Sequence, residues 1–298
     1  MPESEMPLNR DLIDNVMRYL GVSAGRQPDL ALLDDLVAAY VRRVPWESVS
    51  RIAKKARVVE QTGSADVQAC ARWPAEFWMS AMGQSTGGTC FESNYAFFAL
   101  LTALGFSGHL TVNNMDPTVG CHAAIVVTLD GRPWLTDVGL PLYVPLPLNP
   151  AQVTYRQSPF HRYTIRPLGS HDYRIERDHH PQTYCFTLID RPVADPAYRD
   201  VLAGDYGPAG LFLDRVIVSK VVDGRICRFN GDEQPYVLER FELDQADRNR
   251  LGDDPAGEVG RFFNLDEGLL RQALQVVGID SQRSDAGVDS SQSHAEEE

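Results

Sequence analysis

Residues 86–106 read TGGTCFESNYAFFALLTALGF, and the reading of the fold turns on them. Two glycines and a threonine lead into a run that is apolar on almost every side, so the pattern predicts a buried helix opening at Thr89. Thr89 and Glu92 stand three apart, the spacing of a capping box in which each side chain satisfies the other residue's amide. Cys90 is then the first helical residue, where unpaired amides and the positive end of the helix dipole favour thiolate over thiol. Gly87 and Gly88 permit a sharp turn and a close approach by a substrate. The plain alternative is a cysteine that fills space, as most intracellular cysteines do.

Upstream of this stretch the chain is helical in pattern. DLIDNVMRYLGV (residues 11–22), PDLALLDDLVAAYVRRV (28–44) and WPAEFWMSAMG (73–83) place apolar residues at intervals of three and four. From Gly108 the period changes to two. HLTVNN, HAAIVVTL, RPWLTDVGL, FHRYTIRP, HDYRIER and TYCFTLI are short runs rich in Val, Ile, Thr and aromatics, separated by turn residues, which predicts a small antiparallel sheet or barrel. A third region from about Asp190 holds two strand-like runs around Asp223-Gly224, then YVLERFEL and a helix, DEGLLRQALQVVG. The divisions expected are therefore a helical domain over 1–107, a β-domain over 108–189, an α/β region over 190–280 and a disordered acidic tail over 281–298.

The segment CHAAIVVTLDGRPWLTDVGL (121–140) supplies the second chemical element. If Asp130-Gly131 is a two-residue hairpin loop, Leu129 faces Arg132 and Ala124 faces Asp137. His122 then shares Ala124's face, making His122 and Asp137 diagonal neighbours within reach of one another. A carboxylate that orients an imidazole fixes its tautomer and supports the imidazolium formed when a thiol gives up its proton. Alone such a pair is as often structural. Together, Cys90, His122 and Asp137 form a candidate nucleophilic triad.

Composition limits the alternatives. A formal charge of −13 leaves no basic stripe of the kind that displaces counterions from nucleic acid. The acidic start MPESEMPLNRDLID and the lack of 18 consecutive apolar residues argue against a leader or a membrane span, and predict a cytoplasmic protein. Five widely spaced cysteines with no Cys-x-x-Cys pair argue against disulfides and structural zinc; His179-His180 near Cys185 lack ligand spacing, so no metal is expected. Arg42, Arg43, Arg51, Lys54, Lys55 and Arg57 read as a solvated basic face. Cys121 reads as a core residue, on the strand face opposite His122.

With these residues in place, the chain resembles the arylamine N-acetyltransferases. The resemblance rests on VPWESVS (44–50), Gly-Gly-x-Cys-Phe-Glu-x-Asn (87–94), a histidine opening a strand, and Trp-Leu-x-Asp-Val-Gly (134–139), with weaker similarity in YLGV and GLFLDRVIVSKVVDGR. It implies an α+β, papain-like fold with an N-terminal helical bundle, a central antiparallel β-barrel and a C-terminal α/β lid. It also implies that Cys90, with His122 and Asp137, carries an acetyl group from acetyl-CoA to an arylamine or hydrazine by a ping-pong route. Acetyl-CoA, or another acyl thioester, would be a co-substrate and no cofactor would be permanently bound; the partners implied are small molecules, with no nucleic acid and no membrane.

Trp46, Phe91 and Gly139 are the candidate substrate contacts, with core packing the competing reading for the two aromatics. Three positions depart from the family's usual pattern: Thr86 where it has Arg, Trp46 where it has Phe, and Leu140-Pro141 where it has Phe-Gly. Loss of that Arg leaves Glu47 in need of a partner, for which Arg51 is the candidate. Three alternatives stay open: an amide synthase using a carrier-bound or other acyl thioester, a cysteine hydrolase, and a catalytically silent member retained for binding.

Overall fold

The computed structural model describes residues 8–289 apart from 170, 181, 243 and 244. The N-terminal part is built from α1 (Arg10–Leu20), α2 (Leu30–Arg43), a two-residue strand β1 (Trp46–Glu47), α3 (Val49–Thr62), α4 (Val67–Cys70), α5 (Pro74–Gln84) and α6 (Cys90–Ala103). Asn9 and Asp29 cap α1 and α2 by accepting the amides of Leu12 and Leu32. Helix α6 is the axis of this part. Tyr95, Phe97 and Leu100 on it are wholly buried, and the Trp78 indole of α5 donates to the Ala96 carbonyl at 2.9 Å.

Strands β2 (Ser107–Met115), β3 (Thr118–Leu129), β4 (Arg132–Thr136), β5 (Leu146–Pro147), β6 (Thr154–Gln157), β7 (Arg162–Pro167), β8 (Asp172–Arg177) and β9 (Tyr184–Ile189) follow. They pair antiparallel in the order β5-β4-β3-β2-β9-β8-β7-β6. The two ends of this sheet meet: the Thr154 hydroxyl donates to the Pro147 carbonyl at 2.5 Å and Arg156 to the Pro145 carbonyl at 2.6 Å, so the sheet curls into a nearly closed barrel. Asp130 and Gly131 have φ of 49° and 72° and form the two-residue loop, with Leu129 opposite Arg132 and Ile125 opposite Thr136.

The last region contains α7 (Asp195–Gly204), β10 (Ile217–Val222), β11 (Arg225–Asn230), β12 (Val237–Glu242), β13 (Gln245–Arg250), α8 (Pro255–Phe263) and α9 (Glu267–Asp289). Its sheet has the order β1-β10-β11-β12-β13, so β1 from the helical part supplies an edge strand through Trp46 opposite Ser219. Val49, Ile52 and Ala53 of α3 pack with Val218, Phe229, Val259 and Leu270 in a second core, while Tyr198 and Leu202 of α7 join the first. The packing units thus cross the boundaries expected at 107 and 190. Helix α9 continues to Asp289, past the point where the periodicity ends and a disordered tail was expected; residues 290–298 lie outside those described.

Two elements escape a periodicity reading for identifiable reasons. Helix α3 buries a charged residue, Arg51, at 1% exposure, which breaks its apolar stripe and corrects the reading of this stretch as a solvated basic face. Strand β13, QADRNR, is exposed throughout and has no buried face to reveal its period.

Candidate active site

Cys90 stands at the first turn of α6, partly exposed, with Thr89 as N-cap residue in an extended conformation. The capping box does not form. The Thr89 hydroxyl accepts from Arg51 Nη1 at 2.5 Å, and Glu92 is held by Arg72 Nη2 at 2.5 Å and by the Tyr206 hydroxyl. A buried guanidinium competes successfully with a cap because a charged hydrogen bond is worth about 1.5–3 kcal/mol and a cap about 1. Arg72 also donates to the Gly87 carbonyl at 2.6 Å and lies over the Phe77 ring, tying the turn before Cys90 to the first turn of its helix.

Glu47 finds partners other than Arg51. Its carboxylate accepts the Ser50 amide and hydroxyl and the Gly87 amide at 3.0 Å, whereas Arg51 pairs with Asp205 at 2.8 Å. The proposed Glu47–Arg51 pair is therefore absent: Asp205, from a distant segment, occupies the guanidinium. Gly87 is pressed against β1, where a Cβ would fall 1.7 Å from the Pro45 carbonyl oxygen. No other residue fits there without moving the backbone.

His122 on β3 and Asp137 after β4 meet as the hairpin register requires, with Nε2 2.6 Å from Oδ2 and both side chains buried. The Cys90 thiol lies within hydrogen-bonding reach of the ring. With Nε2 committed to Asp137, Nδ1 is the nitrogen left for the sulfur. Burial pushes the imidazole's pKa down, but the charge and hydrogen bond of Asp137, with help from Cys90, overcome it and carry the value from 6.5 to about 10. A folded pKa above the unfolded one stabilises most below the unfolded value. The advantage in melting temperature of the parent over His122→Gln is accordingly expected to be full below pH 6.5 and to vanish as pH rises through about 10. A gap that stays constant over that range contradicts a charged His122.

The other oxygen of Asp137 is fixed as tightly. Oδ1 accepts from Asn94 Nδ2 at 2.9 Å and from the amides of Gly139 and Leu140 at 2.8 and 2.9 Å. Asn94 is itself oriented, accepting the Val138 amide and donating to the Ala123 carbonyl. Asn94 was not among the sequence candidates. The available signal was its position four residues after Cys90, which puts both on one helix face.

Gly139 bears directly on Cys90. A Cβ there would sit 2.4 Å from the Cys90 Cα and 2.6 Å from Asn94 Nδ2, so β4's end and α6 meet through a glycine. Gly139→Ala is expected to displace Cys90 from the His122–Asp137 pair and slow acylation of the sulfur by about 100-fold, the cost of a misplacement on the order of 1 Å. A rate within threefold of the parent, measured by single-turnover mass spectrometry, contradicts the contact's importance.

A cavity of about 880 Å³ opens between the barrel and the five-stranded sheet. Trp46, Leu140 and Pro141 line it, and they connect it to the cysteine: Leu140 follows Gly139, and Trp46 forms a bridge with Gly88. Phe212, at φ 58°, packs edge-on against Trp46 with ring centres 4.9 Å apart. Phe91 does not belong to this wall. It is buried beneath α6 against Tyr198, 6.1 Å between ring centres, because its side chain points from the helix into the core. Cys121 is half-buried rather than a core residue; its carbonyl faces the Cys90 sulfur at 3.7 Å. Among the described residues no group of His, Cys, Asp and Glu is arranged to hold a metal.

A family model described as N-acetyltransferase matches residues 29–232. A curated relative, Proansamycin X synthase of Amycolatopsis mediterranei (strain S699), is 28% identical over 158 residues, covering 50% of this chain. The match spans 56% of that relative's length. Among solved structures, the arylamine N-acetyltransferase of Salmonella typhimurium aligns over 90% of this chain and 99% of its own, with a TM-score of 0.71 and 16% identity. That of Mycobacterium marinum, in complex with CoA, aligns over 89% and 99%, with a TM-score of 0.69 and 17% identity. At such identities the structural likeness is one of fold.

Proposed function

The chain belongs to the arylamine N-acetyltransferase family, and from that premise we propose that it transfers an acyl group, acetyl in the simplest case, through a thioester on Cys90 to an amine. The observation that carries this reading is the buried His122–Asp137 pair at 2.6 Å, with its free ring nitrogen beside a thiol at a helix start. Before the donor arrives Nδ1 of His122 already holds the proton given up by the thiol, in keeping with the raised pKa of the ring, and in the first half-reaction the sulfur attacks the donor's thioester carbonyl. The oxyanion that forms lies at the start of α6, where the Cys90 amide is free of an intrahelical acceptor and is available to donate. The intermediate collapses with loss of the donor thiol, which receives the proton from His122. In the second half-reaction the amine attacks the enzyme thioester, His122 collects its proton, and the Cys90 sulfur leaves.

Acetyl-CoA is the donor favoured, since a CoA complex exists for the Mycobacterium marinum enzyme of the same fold. The acceptor is a small arylamine or hydrazine, entering by the aromatic wall formed by Trp46 and Phe212. No helix among the described residues is long and apolar enough to cross a membrane. Similarity to Proansamycin X synthase supports a second reading, in which the acyl group is much larger than acetyl and the enzyme acts as an amide synthase.

Intact-mass spectrometry decides the chemistry. Mixing the protein with acetyl-CoA in the absence of amine is expected to add one acetyl group, removable by hydroxylamine and absent in Cys90→Ala. No adduct from acetyl-CoA or from larger acyl thioesters, or an adduct that persists in Cys90→Ala, refutes the proposal. Adducts with large acyl groups alone select the second reading.

A further inference from the structure

Three arginines, Arg177, Arg225 and Arg228, line the 880 Å³ cavity, and they differ in their partners. Arg228 Nε is 2.7 Å from Glu239, and Arg225 lies 3.8 Å from Glu242. Arg177 has no carboxylate partner among the described residues; its Nε donates to the Gln182 carbonyl at 3.3 Å. On β8 it stands opposite Tyr163 of the neighbouring strand β7, whose side chain is wholly buried, so the two share the inward face, with Arg177 at the rim. A half-buried cation with no ion-pair partner among the described residues, in a chain of net charge −13, is available to an anion from elsewhere.

We propose that Arg177 anchors an anionic group, phosphate or carboxylate, of a substrate seated in this cavity. The neighbouring rings leave it as the cation of that corner. His161 donates through Nδ1 to the Asp178 carbonyl, 2.9 Å away, and His180 is engaged with Gln182; burial and the charge of Arg177 push both pKa values down, that of His180 to about 4, so both rings are neutral at pH 7. The carboxylates that share the cavity wall, Asp223 and Glu242, lie on the sheet opposite, where Glu242 is engaged by Arg225. An incoming phosphate or carboxylate would therefore take a charge-assisted, two-pronged contact from a guanidinium that gives up no existing ion pair.

The inference takes its ligands from the acyl-transfer reading, but its test measures binding without turnover. Using the Cys90→Ala protein, calorimetry compares CoA with pantetheine, which lacks the nucleotide phosphates, and an aminobenzoate with neutral aniline. CoA bound more tightly than pantetheine identifies a donor phosphate as the anion; aminobenzoate bound more tightly than aniline identifies an acceptor carboxylate. Adding Arg177→Gln is expected to weaken the anionic probe about tenfold or more and leave its neutral counterpart unchanged, with Arg177→Lys between the two. The proposal is overturned if the Cys90→Ala protein favours neither anion, or if Arg177→Gln weakens charged and neutral probes alike. A protein that binds CoA through Arg177 yet never forms the thioester removes the acyl-transfer reading and leaves the anion site standing.

Discussion

Asp137→Asn is expected to slow acylation of Cys90 by roughly 10⁴-fold, with little change in fold, because the hydrogen-bond donors around residue 137 permit only one orientation of an amide. Three N–H groups, from Asn94, Gly139 and Leu140, converge on Oδ1. The asparagine oxygen must take that place, since an NH₂ group there would face three donors. Its nitrogen then points at His122 Nε2 and donates to it. The ring is left accepting at Nε2 and protonated at Nδ1, so the nitrogen facing the sulfur holds a proton where it must receive one. The Asn94 side chain cannot turn to relieve this, as its oxygen accepts from Val138 and its nitrogen donates to Ala123 as well.

The measurement is the single-turnover rate of thioester formation, followed by mass, alongside the melting temperature. An Asp137→Asn protein acylated within tenfold of the parent rate shows that Asp137 does not set the tautomer of His122, and the proposed role of the pair fails. The expected pattern is a rate loss far larger than the fall in melting temperature, a fall that reflects the counter-charge His122 loses. A comparable loss in both would mean that the pair acts mainly as a structural clamp.

How much of this arrangement could be read from the residues depended on whether the controlling interaction was local. The meeting of His122 and Asp137 was legible because Asp130-Gly131 admits a two-residue loop, and loop length fixes which residues share a face. The helix opening at Cys90 was legible for a similar reason, from Gly-Gly followed by an apolar run. Its capping was misread. Thr89 and Glu92 have the spacing of a capping box, and only the tertiary fold brings Arg51 and Arg72 near enough to claim them. Arg72 precedes Glu92 by a whole intervening helix, and no local pattern marks the pair.

The same logic hid the exchange of elements between packing units. Nothing in VPWE indicates that Trp46 and Glu47 will pair with Ser219 and Val218, because β1 has only two residues and no alternation to display. The cavity followed from that exchange. By joining the five-stranded sheet, β1 places Trp46 between the cysteine's turn and the cavity wall.

Arg72→Met is expected to lower stability by about 3–5 kcal/mol, the usual consequence of stranding one member of a buried ion pair. Arg72 and Glu92 are 2% and 1% exposed, and water cannot replace the missing charge. Burial opposes ionisation of Glu92, yet Arg72, followed by Arg51 and the Tyr206 hydroxyl, holds its pKa below the usual carboxylate range. Removing the guanidinium leaves burial as the dominant influence, and Glu92 must either stay charged without its main partner or take up a proton. The loss also frees the Gly87 carbonyl, so the turn that sets Cys90 at the helix start loosens. Thermal denaturation should register a fall on the order of 10 °C. The double variant Arg72→Met/Glu92→Gln separates charge from packing: it should recover much of the stability, because a neutral amide no longer strands a buried charge, while acylation of Cys90 stays impaired because the Gly87 carbonyl still lacks its donor. If the single variant loses less than about 1 kcal/mol, the range of an exposed ion pair, then Glu92 is not an isolated buried charge and Arg72 is not what holds the turn.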